Sequence, residues 1–234
     1  MPRPEPARLF AGSQADAAPR LPHPGIVEDI RALIDASGAQ RVHLVGHDWG
    51  AAAAWAAAAE LSDRIATLTA LSVPHPGAFL KALVTSRQGL LSWYMYVFQL
   101  PWLPEKAALG RSTTGKTGRT LSKFLQNGGQ SPEAADRDAQ AMADDGVLTA
   151  ALNWYRAIPL TNLRTTGRKI SVPTLYVWSD RDIALAEKPA RDTARYVTGD
   201  YRFEILHGVT HWILDECPDK AADLLLEWFE THPI

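Results

Sequence analysis

Apolar positions along the chain follow two rhythms, and their order predicts an α/β sheet interrupted by helices. From Pro24 onward, Ile26, Ile30, Leu33 and Ile34 recur at i, i+4, i+7 and i+8 until Gly38, which predicts an amphipathic helix. Arg41-Val42-His43-Leu44-Val45 is short and apolar, with Gly46 closing it, and reads as a buried strand. An alanine-rich helix is expected over about 50–61, followed by a second apolar run, Ile65–Leu71, that stops before Pro74. Strand, helix and strand in that order imply parallel pairing with a right-handed crossover.

Residues 76–168 change character. They hold amphipathic helical stretches broken by Pro101, Pro104, Gly128-Gly129 and Pro132. Strand rhythm returns at 173–178 and at Tyr201–Leu206, with a polar-faced helix expected over about 187–197 between them. Pro218 opens a terminal helix carrying Ala221, Leu224, Leu225 and Trp228. The expected organisation is a core of residues 1–75 and 169–234 with a helical insert at 76–168. Residues 1–24 are rich in Pro, Ala and Gly without a sustained period and read as loop or arm.

Composition narrows the class. With 234 residues, 46% of them apolar, and a formal charge of −2, the chain suits one globular domain with an inserted subdomain. The near-balanced charge carries no nucleic-acid footprint. A single cysteine, Cys217, rules out an intrachain disulfide and fits a reducing compartment. The start, Met1-Pro2-Arg3-Pro4-Glu5-Pro6, lacks a signal-peptide core, and no apolar run reaches membrane-spanning length. A cytoplasmic protein without membrane contact is expected.

The chemistry concentrates in Gly46-His47-Asp48-Trp49-Gly50, between a strand and a helix. This is the small-x-nucleophile-x-small form of a nucleophile elbow. So sharp a turn is expected to need glycine on both sides, because a Cβ would strike neighbouring backbone. The choice of Asp over Ser is informative. A serine attacking an sp³ carbon would form an ether that water does not readily cleave. A carboxylate forms an ester instead, which a base and water can hydrolyse. Asp48 therefore points to displacement at carbon, and its competing role is to cap the following helix.

An acid and a histidine should follow in that order, on loops after later strands. Ser179-Asp180-Arg181-Asp182 and His207-Gly208-Val209-Thr210-His211-Trp212 lie at those places. Asp182 is the preferred acid, with Asp180 the other candidate, and His211 is preferred over His207 because its loop enters the last helix.

With these residues in place, the chain resembles the epoxide hydrolase branch of the α/β-hydrolases from about Ile26 onward. The resemblance rests on His47-Asp48-Trp49-Gly50, Ser72-Val73-Pro74-His75-Pro76, Leu152-Asn153-Trp154-Tyr155-Arg156, residues 178–182 and His211-Trp212. It implies an α/β-hydrolase fold: a mostly parallel sheet with helices on both faces and a helical cap. It also implies a cap tyrosine pair donating to an epoxide oxygen, with Tyr155 in the matching motif and Tyr94 the best match for the second, ahead of Tyr96. Asp48 would form an alkyl ester that water, activated by His211 and Asp182, hydrolyses, while the Trp49 N–H supports the oxyanion. The implied substrate is a small apolar epoxide, with no metal or organic cofactor.

The family also carries more sheet before its elbow, with a His-Gly-x-Pro turn, and neither is visible in residues 1–47. An N-terminally truncated version of the fold is therefore expected. Its elbow strand would have an open edge, available for pairing with a second copy as a homo-oligomer. Two other readings remain open: a haloalkane dehalogenase, with the Trp49 indole on the halide, and an impaired hydrolase acting only in binding. Gly110-Arg111-Ser112-Thr113-Thr114-Gly115-Lys116-Thr117 matches the P-loop string, but a proline-started helical run precedes it where a phosphate loop needs a buried strand.

Overall fold

The computed structural model describes residues 22–109, 119–160 and 163–234. The P-loop-like string at 110–117 and residues 1–21 of the arm expected over 1–24 lie outside them, while residues 22–24 are helical. Two compact units are present: Tyr94–Asn127 with Ser131–Leu160, and His23–Trp93 with Gly128–Gln130 and Thr161–Ile234.

The larger unit is built on one parallel sheet of four strands in the order β1 (Val42–His47), β2 (Ile65–Leu71), β3 (Thr174–Ser179) and β4 (Tyr201–Leu206). The central strands β2 and β3 are buried along their whole length. Alternation of side chains across the sheet divides their apolar residues between two cores. Leu68, Ala70, Tyr176 and Trp178 join Trp55 and the alanines of the helix Trp49–Glu60, whereas Leu71, Leu175 and Val177 meet Ala221, Leu224 and Trp228 of the helix Pro218–Thr231. Helices thus cover both faces. The alanine-rich helix is buried nearly all round, as seven of its residues show. Its short side chains let it lie close against the strands.

Three expectations need correction. The elbow strand is not buried along its length: β1 is an edge strand whose positions other than Gly46 are half-buried or exposed, with Val45 39% exposed. Its residues have the composition of a buried strand but a neighbour strand on one side alone among the described residues. The first helix begins at Pro22 and buries Val27 and Ile34, while Leu33 is 51% exposed. The stripe packed against the core therefore runs through Ile26, Val27 and Ile30, and Ile34 is buried beyond it. The expected helix over 187–197 is an α-helix, Glu187–Asp192, that tightens into a 3-10 turn, Thr193–Tyr196.

The smaller unit is helical, with Leu103–Leu109, Arg119–Asn127, Pro132–Ala141 and Val147–Ala157 as its main segments. Pro132 stands at the start of its helix, where the Ser131 hydroxyl caps the Ala134 N–H at 3.2 Å. No helix among the described residues is long and apolar enough to cross a membrane.

His75 ties the chain leaving β2 to the chain returning towards β3. Its Nδ1 accepts from the Gly77 N–H at 3.1 Å, so Nε2 carries the proton and donates to the Arg168 carbonyl at 3.1 Å. The ring is buried and stacks on Tyr196 at 4.5 Å. Burial, opposed by the Arg168 carbonyl and aided by the Lys169 charge, holds the imidazole pKa down at about 4. The unfolded chain takes up this proton near pH 6.5 and the folded chain only near 4, so the neutral ring's contribution is complete above 6.5 and lost as the pH falls to 4. The total is about 3 kcal/mol at the conversion of 1.36 kcal/mol per unit. Urea denaturation between pH 7 and 4 should show this loss, and His75→Phe should flatten it while lowering stability at neutral pH. Equal pH slopes for the two proteins would refute the assignment.

Candidate active site

Asp48 occupies the turn between β1 and the helix Trp49–Glu60 with φ 52° and ψ −125°, a backbone region that residues with a Cβ rarely enter. Gly46 makes the turn feasible. A Cβ built there would stand 2.3 Å from the Gly50 carbonyl oxygen. The second glycine behaves differently from expectation: nothing lies within 4 Å of a Cβ at Gly50, so only the first position is closed to larger residues. The Asp48 side chain makes no cap hydrogen bond, which sets aside the capping role. Its backbone carbonyl instead accepts from Ala51 and Ala52.

His211 lies between two carboxylates. Its Nδ1–H donates to Asp182 Oδ2 at 2.7 Å, and Nε2 stands 3.3 Å from Asp48 Oδ1. The Asp182 side chain is fully buried, and its other oxygen accepts from the Ala184 and Leu185 N–H groups at 2.8 and 2.9 Å. Asp182 thus holds one face of the ring and presents the other nitrogen to Asp48. The competing pair resolves separately: Asp180 accepts from His207 Nδ1 and from the Gly208 N–H, both at 2.7 Å, and fastens the loop upstream of His211.

Two residues quoted only as parts of motifs prove to hold the base. The His47 Nε2–H and the Ser72 hydroxyl both donate to the His211 carbonyl at 2.9 Å. Ser72 has φ 66° and sits inside a three-residue turn closed by Val73 N–H to Leu71 O. That strained turn is held by the Tyr176 hydroxyl on the Ser72 carbonyl. Nothing in the local sequence announces this contact, because its partners are 139 residues apart.

Charge follows geometry. Burial alone would push the His211 imidazole down, but hydrogen bonds and charge from Asp182 and Asp48 outweigh it and raise the pKa to about 10. For Asp48, crowding by protein pushes the carboxyl up, and the His211 bond and charge with the Trp49 N–H reverse this, leaving it below its usual value. The Asp48 side chain nonetheless keeps 45% of its surface open, room for a reacting molecule. His47 is held below its usual value by burial and by the His211 charge. Ionised His211 therefore stabilises the fold below pH 6.5, and that contribution fades as the pH rises through about 10.

The tyrosines form a cluster of their own within the smaller unit. Tyr94 and Tyr155 are half-buried with ring centroids 6.0 Å apart, and each packs edge-on against Phe98. Tyr96 is 63% exposed and lies outside this cluster. Arg156 explains the rest of its motif. It grips both Glu105 oxygens at 2.8 and 3.1 Å and donates to the Phe98 and Leu100 carbonyls, while Gln99 donates to the Tyr155 carbonyl. These bonds fasten the two tyrosine-bearing segments together. An open hollow of about 520 Å³ beside Arg156 and Glu105 includes none of the elbow residues. Among the described residues, no group of three or more His, Cys, Asp or Glu is placed to hold a metal ion.

A family profile described as the α/β hydrolase fold matches residues 10–218. The chain belongs to that family. It is 33% identical over 213 residues to epoxide hydrolase 2 of Caenorhabditis elegans, covering 87% of this chain and 58% of that protein. It is 30% identical over 206 residues to the AB hydrolase superfamily protein YfhM of Bacillus subtilis (strain 168), covering 88% and 71%. Among solved structures, an epoxide hydrolase of Vigna radiata superposes with a TM-score of 0.73 at 24% identity, covering 93% of this chain and 79% of that one. A mutant epoxide hydrolase of Bacillus megaterium superposes with 0.74 at 20% identity. At these identities the superpositions speak for the fold. Three of the curated epoxide hydrolases that match are spanned over only 56–59% of their length.

Removing the Asp48 charge should release His211. In Asp48→Asn, the imidazole titration followed by NMR should fall from about 10 by one unit or more, on the order expected for losing one hydrogen-bonded carboxylate. An unchanged midpoint would mean the two groups do not interact in solution.

Proposed function

We propose that the chain opens epoxides to diols through a covalent ester on Asp48. The observation carrying this reading is a carboxylate at the elbow, 3.3 Å from an imidazole whose far nitrogen is anchored by a buried carboxylate. A carboxylate there suits attack at sp³ carbon, and the names of the curated relatives agree with an epoxide as the electrophile. We read residues 76–168 as the cap and residues 1–75 with 169–234 as the catalytic core.

In the proposed cycle, Asp48 attacks an epoxide carbon and the C–O bond breaks towards oxygen. The phenols of Tyr94 and Tyr155, neutral donors at pH 7, stabilise the alkoxide as it gains a proton. Esterification removes the Asp48 charge. His211 then loses one of the two anions that hold its proton, its pKa falls, and its Nε2 proton passes by way of solvent to the substrate alkoxide, leaving a neutral Nε2 to take a proton from water. The resulting hydroxide attacks the Asp48 carbonyl, with the Trp49 N–H beside the developing oxyanion. Collapse frees the diol, and the carboxylate and imidazolium reform their pair. The order of events follows from electrostatics: the base is quenched until the nucleophile has been used.

Intact-protein mass spectrometry tests the ester. His211→Gln incubated with a small aryl or alkyl epoxide should gain the mass of one substrate, localised to the peptide containing Asp48, and Asp48→Asn should gain none. Tyr155→Phe and Tyr94→Phe should each slow diol formation by roughly 10²-fold, the scale of one lost oxyanion donor. A His211→Gln protein that never gains mass, or halide release from a haloalkane with no diol from any epoxide, would overturn the proposal.

A further inference from the structure

Gln88 is fully buried, yet it is a polar side chain on a short helix, Gln88–Leu91, that precedes the tyrosine-bearing segment. A buried amide is tolerated only where its groups are matched. Here the matching is complete for its donors. Nε2 donates to the Ala184 carbonyl at 2.7 Å and the Ser92 hydroxyl at 3.0 Å, and Oε1 accepts from the Ala186 N–H at 2.8 Å. The backbone beneath it is pinned as well. Ser86 Oγ caps the Gln88 N–H at 3.1 Å, and a Cβ on Gly89 would stand 2.4 Å from the Leu83 carbonyl oxygen, so this turn admits little adjustment.

The loop it grips is the one that holds Asp182. The Ala184 carbonyl and the Leu185 N–H belong to one planar peptide unit. Gln88 pulls on the carbonyl end of that plane, and Asp182 Oδ1 receives its N–H at 2.9 Å. The next plane, Leu185 carbonyl with Ala186 N–H, is fixed from both ends by the Trp178 indole at 3.1 Å and by Gln88 Oε1. One hydrogen-bonded chain therefore runs from the Gln88 amide through a peptide plane to Asp182, then to His211 and Asp48. Bonds in such a chain polarise one another, so each strengthens the next.

We infer that Gln88 is a positioning residue for the acid–base pair: it sets the peptide planes that orient the Asp182 carboxylate and so tunes the proton affinity and placement of His211. An apolar side chain of the same shape would satisfy the core but leave the Ala184 carbonyl and the Ala186 N–H without partners. The inference rests on the catalytic reading of Asp48, Asp182 and His211, and its test is separable from that reading because one readout needs no substrate.

Gln88→Met preserves volume and removes all three bonds. The NMR midpoint of His211 in the full chain should fall by about half a unit or more, a change in differential interaction well within what a neighbouring group exerts. With an epoxide substrate, kcat should drop about tenfold or more with KM within about twofold, the scale for losing an orienting partner behind a reacting group. Gln88→Glu gives a sharper signature. Protonated, its carboxyl can still donate to Ala184 and accept from Ala186. Ionised, it repels the carbonyl. This variant should match the unsubstituted chain in activity at the lower end of the pH profile and lose activity as the new carboxyl ionises, an inflection absent from the parent. A fall in Tm with the His211 midpoint and kcat unchanged would reduce Gln88 to packing and overturn the inference. Should Gln88→Met fail to fold, a Gln88→Glu profile without the extra inflection would overturn it equally. If His211 shifts as expected but the unsubstituted chain turns over no epoxide, the proposed reaction fails and the positioning role stands.

Discussion

The interaction on which the rest depends is the hydrogen bond from His211 to a carboxylate with no access to water. A buried Asp182 cannot be solvated, so its oxygens must be met from within the protein, by the Ala184 and Leu185 N–H groups on one side and the imidazole on the other. Meeting that demand fixes the ring's plane and tautomer. It leaves Nε2 aimed at Asp48, on a turn whose backbone is itself strained. Strain at Asp48 and Ser72 is tolerated because β1, β2 and β3 are held in register around it, with Tyr176 of β3 bonding the Ser72 carbonyl. The sheet is the scaffold, and the strained residues stand at its strand ends.

Electrostatics then gives the site a sequence in time. In the resting protein His211 is an imidazolium shared between two anions, a poor base and a strong partner for Asp48. Any event that cancels the Asp48 charge, ester formation above all, weakens the hold on that proton. In the proposed cycle a single geometry thereby serves two steps without requiring either carboxylate to move. The tyrosine cluster is organised by the same kind of constraint: the Arg156 guanidinium, half-buried and paired with Glu105, fastens the segments carrying Tyr94 and Tyr155 through backbone carbonyls.

Much of this was legible in the sequence, for identifiable reasons. Gly46 next to a strand and two residues before an aspartate leaves few conformations open, and the 2.3 Å approach to Gly50 is the contact that such a glycine implies. Apolar runs marked β2 and β3 because both are buried on both faces and need no alternation, whereas β4 alternates Tyr201, Phe203 and Ile205 with Arg202 and Glu204. Failures came where burial depends on neighbours far along the chain. Val42–His47 has the residues of an interior strand and lies at an edge, and Leu33 fits a helical stripe yet points to solvent while Val27 points inward. Gln88, Ser72 and His47 could not be assigned roles, because a hydrogen bond spanning 98, 139 or 164 residues has no local signature.

The central claim is that oxygen reaches the diol by way of the protein. A single turnover in H₂¹⁸O with enzyme in excess tests it directly. If the ester forms on Asp48, the first diol carries no label and ¹⁸O is found in the Asp48 carboxylate by peptide mass spectrometry. Label in the first diol with none in Asp48 would mean that water attacks the epoxide itself, and the account would fail.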